Sequence, residues 1–146
     1  MFTGTYHHTI DDNNRLAIPS SMRKSIDVKG EGKGFFITPG LDRCLAIYPH
    51  FQFEELKAKI KQLNETNPKA RIFKRLFFSR SNGPNTCDKQ GRFIVPQHLK
   101  EYACLEKEIV IVGVMDKIEV WDLKEWNKFE KEHAENFEKD AEDLFQ

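Results

Sequence analysis

The sequence lacks a long apolar run, a disulfide framework and a secretory signal. Its longest apolar run, Ile109 to Met115, has seven residues, far fewer than the roughly 20 that span a bilayer. Its three cysteines, Cys44, Cys87 and Cys104, form no Cys-x-x-Cys pair, and the first residues carry no basic segment followed by an apolar stretch. We therefore expect a cytoplasmic protein with reduced thiols and no contact with a membrane.

Signatures of catalysis and of cofactor binding are also missing. None of the five histidines lies near a Gly-x-Ser-x-Gly motif, and the glycine-rich segment 30–34 lacks the spacing of a phosphate-binding loop. The histidines and cysteines do not have the spacing of zinc ligands, so a site combining His7 and His8 with Cys44 or Cys87 is a minor alternative. We expect no enzymatic activity, no catalytic residues, no cofactor, no metal and no small-molecule substrate.

The net charge of zero conceals a strong asymmetry. Residues 1–80 hold 14 basic and 8 acidic residues, whereas residues 81–146 hold 9 basic and 15 acidic ones. The last segment, 130–146, contains seven acids and two lysines. A basic body with an acidic tail permits a nucleic-acid partner without requiring one.

Two segments of similar sequence indicate an internal repeat. Residues 8–19 (HTIDDNNRLAIP) resemble residues 85–96 (NTCDKQGRFIVP) at an offset of 77. At an offset of 73, residues 36–40 match 109–113, residues 45–48 match 118–121, and Phe53 matches Trp126. The repeats extend over about 5–53 and 82–126, and the change in offset indicates four extra residues in the first repeat, assigned to the segment 28–34.

Each repeat is predicted to contain a strand, a tight turn, a second strand ending at a proline, a short helix and two further strands. The last two strands are expected at 35–38 and 44–48 in the first repeat, and at 109–112 and 117–121 in the second. Apolar spacing predicts linking helices within about 50–80 and an acidic C-terminal helix over about 122–146. The second linking helix begins at Asn67-Pro68 and is expected to bury Ala70, Phe73, Leu76 and Phe77.

One repeat has too few apolar residues to close a core. Two repeats related by a pseudo-twofold axis can interleave into one small β-barrel, which removes exposed strand edges. We therefore predict a single domain, 1–146, that is mainly β with peripheral helices.

The repeated Asp-x-x-x-Arg motif has two interpretations. An Asp–Arg ion pair that only fixes the turn would add about 0–1 kcal/mol of stability. Alternatively, Arg15 and Arg92 protrude from equivalent turns and contact DNA, as in β-ribbon readers, with Asp11 and Asp88 orienting the loops. Nearby cations would then attract phosphates; these are Arg23, Lys24, Lys89 and Lys100.

Most of the chain resembles the MraZ family. The similarity is carried by F-x-G-x-Y-x-H-T-x-D-x-x-x-R-L-x-I-P at 2–19, N-P-x-A-R-x-F at 67–73, D-K-Q-G-R-x-I-x-P-Q-H-L at 88–99, and I-E-V-W-D at 118–122. It covers about residues 1–130. One departure is Asn14, where the family often has glycine, and the acidic tail is another.

The resemblance implies a swapped-hairpin β-barrel like those of AbrB and MazE, with both halves in one chain. It implies a transcriptional regulator of the division and cell-wall gene cluster that binds short promoter repeats through Asp11, Arg15, Asp88 and Arg92. It also implies a ring-shaped homo-oligomer in the cytoplasm, associated with the nucleoid. An alternative is a protein-interaction module that binds a partner protein through its helices and acidic tail.

Overall fold

The strands of the computed structural model, which describes residues 1–29 and 32–146, follow the predicted repeat order. The described residues form eight strands: β1 Thr5–Thr9, β2 Arg15–Ala17, β3 Phe35–Pro39, β4 Leu45–Pro49, β5 Asn82–Asn85, β6 Arg92–Ile94, β7 Glu108–Val114 and β8 Lys117–Asp122. The same residues form six α-helices: α1 Ser20–Lys29, α2 His50–Lys61, α3 Pro68–Arg80, α4 Gln97–Tyr102, α5 Leu123–His133 and α6 Phe137–Leu144. The four strands predicted with bounds, the last two of each repeat, are confirmed within one or two residues.

The first strand of each repeat pairs with the other repeat. Six strands form one sheet in the order β1-β7-β8-β4-β3-β5, so β1 joins the second repeat and β5 joins the first. The remaining strands, β2 and β6, pair only with each other in a two-stranded antiparallel ribbon. Neither repeat therefore completes its own sheet, and the two halves are interleaved as expected.

A pseudo-twofold axis passes through both central strand pairs. In the ribbon Leu16 lies opposite Phe93, and in the large sheet Ala46 lies opposite Glu119. The residue numbers within these pairs differ by 77 and 73, which are the two offsets of the internal repeat. Equivalent residues therefore face each other across the axis, which confirms both alignments at these strands.

The closed barrel expected from the sequence is not formed. Among the described residues, the hydrogen-bonded ladders leave β1 and β5 as the outer strands of the large sheet. In the described part of the chain, the ribbon strands are three residues long and pair only with each other. No ladder of hydrogen bonds therefore joins the ribbon to β1 or β5. The architecture is an antiparallel sheet plus a ribbon, covered by helices.

The alignment of the third strands was wrong by one residue. Phe36 lies opposite Tyr48, and Val110 lies opposite Trp121. Because Trp121 is the counterpart of Tyr48, Phe36 corresponds to Val110 and not to Ile109. The β3–β4 connection accounts for one extra residue, with Asp42 and Arg43 both at φ 64°. Three extra residues then precede β3; the proposed position, 28–34, includes residues 30 and 31, which lie outside the described residues.

The main core lies between the large sheet, the ribbon and the two short helices. Met22 and Ile26 of α1 and Leu99 of α4 are buried in it. The ribbon contributes Leu16 and Phe93 from its inner face, and Phe93 packs edge-on against Phe35. This packing holds the ribbon against the body and leaves its outer face to solvent.

The linking helices cover the other face of the sheet, but α3 does so only in part. Asn67 caps α3 as predicted, accepting the Lys69 N–H at 2.9 Å. Ala70 and Phe77 are buried, whereas Phe73 and Leu76 are 40% and 46% exposed, so their predicted burial was wrong. The helix meets the body along one narrow stripe, and its remaining apolar side chains are partly exposed.

The acidic C-terminal helix is divided into two. A 3₁₀ turn, Ala134–Asn136, separates α5 from α6. Trp126 and Phe129 of α5 pack on Trp121 with ring centroids 5.3 and 5.1 Å away.

No helix of the described chain is long and apolar enough to cross a bilayer.

Candidate nucleic-acid interface

The outer face of the β2–β6 ribbon carries both arginines of the repeated motif. Arg15 lies opposite Ile94, and Arg92 lies opposite Ala17. Because side chains alternate across a strand, these four residues share the face opposite the buried Leu16 and Phe93. The ribbon therefore presents two guanidinium groups, with the 63% exposed side chain of Ile94 on the same surface.

Each motif forms a loop organised by its own aspartate. In the first loop, residues 11–15, Asp11 Oδ1 accepts the N–H groups of Asn13 and Arg15 at 2.9 and 2.8 Å. In the second loop, residues 88–92, Asp88 Oδ1 accepts those of Gln90 and Arg92, both at 2.9 Å. Backbone hydrogen bonds between the first and last residues close both loops. The sequence motif is thus a loop-forming device that is used twice.

The same carboxylates hold the arginine side chains. Asp11 Oδ2 accepts the Arg15 Nε–H at 2.9 Å, and Asp88 Oδ2 accepts the Arg92 Nε–H at 3.1 Å. The Arg15 Nη groups have no partner in the described part of the chain, while Arg92 Nη2 donates to Gln90 Oε1. The ion pair therefore fixes the Nε edge of each arginine and leaves Nη donors available, so the two interpretations of the motif are compatible.

Hydrogen bonding lowers the pKa of both loop carboxyls. The backbone N–H of Arg15 is the main reason that the pKa of Asp11 lies below its ordinary value, and the Arg15 side chain lowers it further. The backbone N–H of Arg92 has the same effect on the pKa of Asp88. A carboxylate that accepts several N–H groups is stabilised in its charged form. Both loops keep their anchors at neutral pH.

Asn14 and Gly91 occupy equivalent positions with left-handed backbone, at φ 60° and 76°. Asn14 thus accommodates the conformation that glycine has in the second loop. Its side chain also makes two contacts with the other repeat: Nδ2 donates to Gln97 Oε1, and Oδ1 accepts from Lys100 Nζ, both at 3.0 Å. The backbone carbonyls of Asn14 and Gly91 accept the N–H groups of Val95 and Ile18.

The basic residues near the loops fall into two groups. Arg23 and Lys100 are equivalent under the repeat, and each contacts the loop of the opposite half. The Arg23 guanidinium packs against Gly91 of the second loop and occupies the space that a Cβ atom at this position would need. In the same way, Lys100 contacts Asn14 of the first loop through a hydrogen bond. Lys24 and Lys89 are exposed and form no ion pair within the described residues.

The two loops differ in charge at one position. Asp12 of the first loop corresponds to Lys89 of the second. Counting charged side chains, residues 11–15 have a balance of −1 and residues 88–92 a balance of +1. The second loop is therefore the better electrostatic match for a phosphate backbone.

A shallow cavity of about 660 Å³ lies beside the ribbon. Its lining includes Arg15, Arg92, His7, His8 and Glu108. Within residues 1–29 and 32–146, no three His, Cys, Asp or Glu side chains converge as metal ligands. Burial raises the pKa of Cys44 to about 12 and that of Cys87 to about 11, which disfavours the thiolate that metal binding requires.

Sequence reasoning did not identify Ile94, Asn14 or Gln97 as parts of this surface. Ile94 could have been found from strand periodicity, since it lies two residues after Arg92 on the same face. The contacts of Asn14 with Gln97 and Lys100 span 83 and 86 residues. They depend on how the repeats interleave, for which local sequence carries no signal.

Comparisons with known proteins agree over almost the whole chain. A family model described as "MraZ protein, putative antitoxin-like" matches residues 1–76 and 84–146. A protein of Moorella thermoacetica named "Transcriptional regulator MraZ" is 43% identical over 146 residues, covering 99% of this chain and 96% of the relative. Proteins of the same name from Heliobacterium modesticaldum and Clostridium acetobutylicum are 42% and 44% identical; the alignments cover 99% and 88% of this chain, and 96% and 87% of the relatives.

Proposed function

The chain belongs to the MraZ family of transcriptional regulators, and on this basis we propose that it binds specific DNA sequences through its two arginine loops. The observation that carries the proposal is the pair of guanidinium groups on one exposed face of a two-stranded ribbon. A ribbon of this kind fits the major groove of B-DNA, where arginine donors recognise the O6 and N7 atoms of guanine. Transcriptional regulation is not an enzymatic activity, and the proposed role needs no cofactor.

The loop residues have separate roles in this proposal. Arg15 and Arg92 contact base edges, while Asp11 and Asp88 hold the loops and the Nε edges of the arginines. The exposed Lys24 and Lys89 attract phosphates without regard to sequence. Arg23 and Lys100 act on DNA through the loops that they support, and Ile94 supplies an apolar contact suited to a thymine methyl group.

Assembly would strengthen binding by a protomer that has no net charge. We expect a ring-shaped homo-oligomer that presents several ribbons to several promoter repeats, so that avidity supplies affinity. The relatives are named transcriptional regulators; the target that we propose is DNA upstream of the division and cell-wall gene cluster, as the family resemblance implies. Such a regulator would act in the cytoplasm, at the nucleoid.

The proposed fold relationship is with AbrB and MazE. The exchange of β1 and β5 between the repeats supports a swapped-hairpin origin, since each first strand completes the sheet of the other half. In this view the present chain joins two copies of an ancestral unit and keeps the arginine loop of each.

The test is fluorescence-anisotropy binding to DNA from upstream of the protein's own gene, compared with scrambled DNA across a salt series. Preference for the upstream repeats, with log K falling linearly with log salt, supports a sequence-specific reader and gives the number of neutralised phosphates. Equal, weak binding to both DNAs would overturn the proposal. The double variant Arg15→Ala/Arg92→Ala should lose this preference, and Arg80→Ala, at an exposed position on α3, is the matched control.

Protein binding through the tail is a second candidate. It is favoured by Phe137 and Leu144, which are 75% and 80% exposed on α6. Deleting residues 130–146 separates the two functions: loss of a protein complex while operator binding persists assigns the tail to protein contacts.

A further inference from the structure

Two apolar surfaces of this chain are left open to solvent by residues 1–29 and 32–146 of the protomer. The first, the tail stripe, consists of Phe137, Ala141 and Leu144 on α6. The second, the linker groove, is a cavity of about 440 Å³ between α2 and α3, with Ala58, Ile60 and Phe78 among its lining residues. Uncovered apolar surfaces of this kind are typical of protein contact sites.

The tail stripe has the form of a docking helix. Its residues are spaced by four and three positions, which places them on one side of α6. Glu138 and Asp140 flank the stripe, and the segment 130–146 holds seven acidic and two basic residues, a balance of −5. An amphipathic helix with acidic edges suits a groove with an apolar floor and basic edges.

The linker groove has those properties. Three lysines, Lys57, Lys61 and Lys74, line it together with the apolar residues, and Glu54 is its acidic member. The segment 50–80 holds eight basic and three acidic residues, a balance of +5. Lys61 forms no ion pair within the described residues, although Lys57 and Lys74 pair with Glu54 and Glu65.

The imbalance between basic and acidic residues is confined to these two segments. Outside 50–80 and 130–146, the chain has 13 basic and 13 acidic residues and is balanced. The net charge of zero thus arises because the charge of the segment 50–80 cancels that of the segment 130–146, while the rest of the chain is neutral. Potentials that match in this way steer association and select the partner.

The two surfaces are attached to different parts of the sheet. α5 packs on Trp121 and its neighbours at β7 and β8, and α6 follows from it. α2 packs through Phe53 on Phe36 of β3 and Tyr48 of β4. In the protomer both surfaces remain open.

We propose that α6 of one copy docks into the linker groove of a second copy. Its eight residues give a helix about 12 Å long, which fits along the roughly 18 Å of α2. Each copy offers one tail and one groove, so the contact is head-to-tail and can be repeated. Interfaces of this type close into rings or extend into filaments. The inference rests on the proposed function only for the expectation of a homo-oligomer.

Two charge variants at exposed positions test the interface. The tail variant is Glu138→Lys/Asp140→Lys, and the groove variant is Ala58→Glu/Lys61→Glu. Glu132→Lys/Glu135→Lys controls for charge change in the acidic tail outside α6, and Lys59→Glu controls for charge change on α2 away from the groove. Circular dichroism verifies folding, and sedimentation velocity measures mass without DNA.

We expect the wild-type protein and both controls to assemble, and each test variant to need at least about tenfold more protein for half-assembly. A mixture of the two test variants retains one intact tail and one intact groove, so it should give a complex of two chains. A monomeric wild-type protein, a test variant that assembles normally, a mixture without complex, or a control that dissociates equally would each overturn the proposal.

Failure of the DNA proposal would look different. Assembly that follows the predicted pattern, with no preference for operator DNA, leaves the interface valid and removes the DNA reader. Operator binding by a wild-type protein that remains monomeric would support the DNA proposal and overturn the interface.

Discussion

Asn14 and Lys100, 86 residues apart, are joined by a 3.0 Å hydrogen bond from Lys100 Nζ to Asn14 Oδ1. The bond connects the crest of the first arginine loop to a helix of the second repeat. The equivalent pair, Gly91 and Arg23, brings a basic side chain against the second loop. Each half of the molecule thus supports the arginine loop of the other half.

This relationship predicts that Lys100 acts through the first loop. Lys100→Met should weaken operator binding in the wild-type and Arg92→Ala backgrounds but have little effect in Arg15→Ala, because the loop arginine is then already absent. A double-mutant cycle by anisotropy measures the coupling, expected at about 0.5–3 kcal/mol. An equal loss in every background, with a salt slope reduced by about 1, would instead assign Lys100 to a phosphate.

The loop arginines are predicted to supply base recognition. Arg15→Ala and Arg92→Ala should each weaken operator binding by about 1–3 kcal/mol while leaving scrambled-DNA binding less affected. Thermal unfolding should be nearly unchanged, since both side chains lie on the ribbon surface. Arg80→Ala, at an exposed position on α3, is the control. A loss no larger than that of the control would remove the two arginines from the interface.

The charge difference between the loops gives a prediction in the opposite direction. Asp12→Lys gives the first loop the charge of the second, so affinity for any DNA should rise and the salt slope should steepen by about 1. Glu55→Lys makes the same charge change on α2. If both variants raise affinity equally, net charge explains the effect and the position of the loop does not.

The loop carboxyls are predicted to titrate at unusually low pH. Carbon-13 NMR should find the pKa of Asp11 and of Asp88 below the ordinary aspartate value. The stabilisation that they provide is therefore present at neutral pH and is lost only as the pH falls through the lowered pKa. Because the backbone N–H of Arg15 is the main cause, Arg15→Ala should leave the pKa of Asp11 low. A return to the ordinary value would mean that the loop had opened.

Cys104 is predicted to be a strained position. It has φ 53°, and the N–H groups of Cys104 and Leu105 bond back to Glu101 and Lys100, which forms a Schellman motif after α4. Glycine adopts this conformation without strain, so Cys104→Gly should stabilise the fold by about 1 kcal/mol, or raise Tm by about 2–4 °C. Cys104→Ala keeps the strain and should give no gain. Equal thermal stability of the two variants would contradict this explanation.

Local patterns in the sequence were sufficient for the elements and for the loops. Short apolar segments matched between the two repeats and bounded by turn residues predicted β3, β4, β7 and β8. Asn67-Pro68 predicted the start of α3, because helix capping depends on neighbouring residues. The repeat placed Asp11 with Arg15 and Asp88 with Arg92 in equivalent turns. The ribbon pairing that places both arginines on one face agrees with that symmetry.

Other features depended on contacts that local patterns do not encode. The spacing of Phe73 and Leu76 indicates an amphipathic helix, but it does not say whether a second surface is present to cover them. The closed barrel failed because it required ladders from the ribbon to β1 and β5. The contact of Asn14 with Lys100 was not predictable, since it depends on the interleaving of the two halves.

Joining both repeats in one chain frees the two loops from being identical. Two separate copies of one repeat would present the same loop twice, and their combined surface would be the same in either direction along DNA. Here Asp12 and Asn14 stand opposite Lys89 and Gly91, while the frame that holds them keeps its twofold form. The two loops of the ribbon therefore differ, and under the proposed function we expect the protein to bind a DNA site in one orientation.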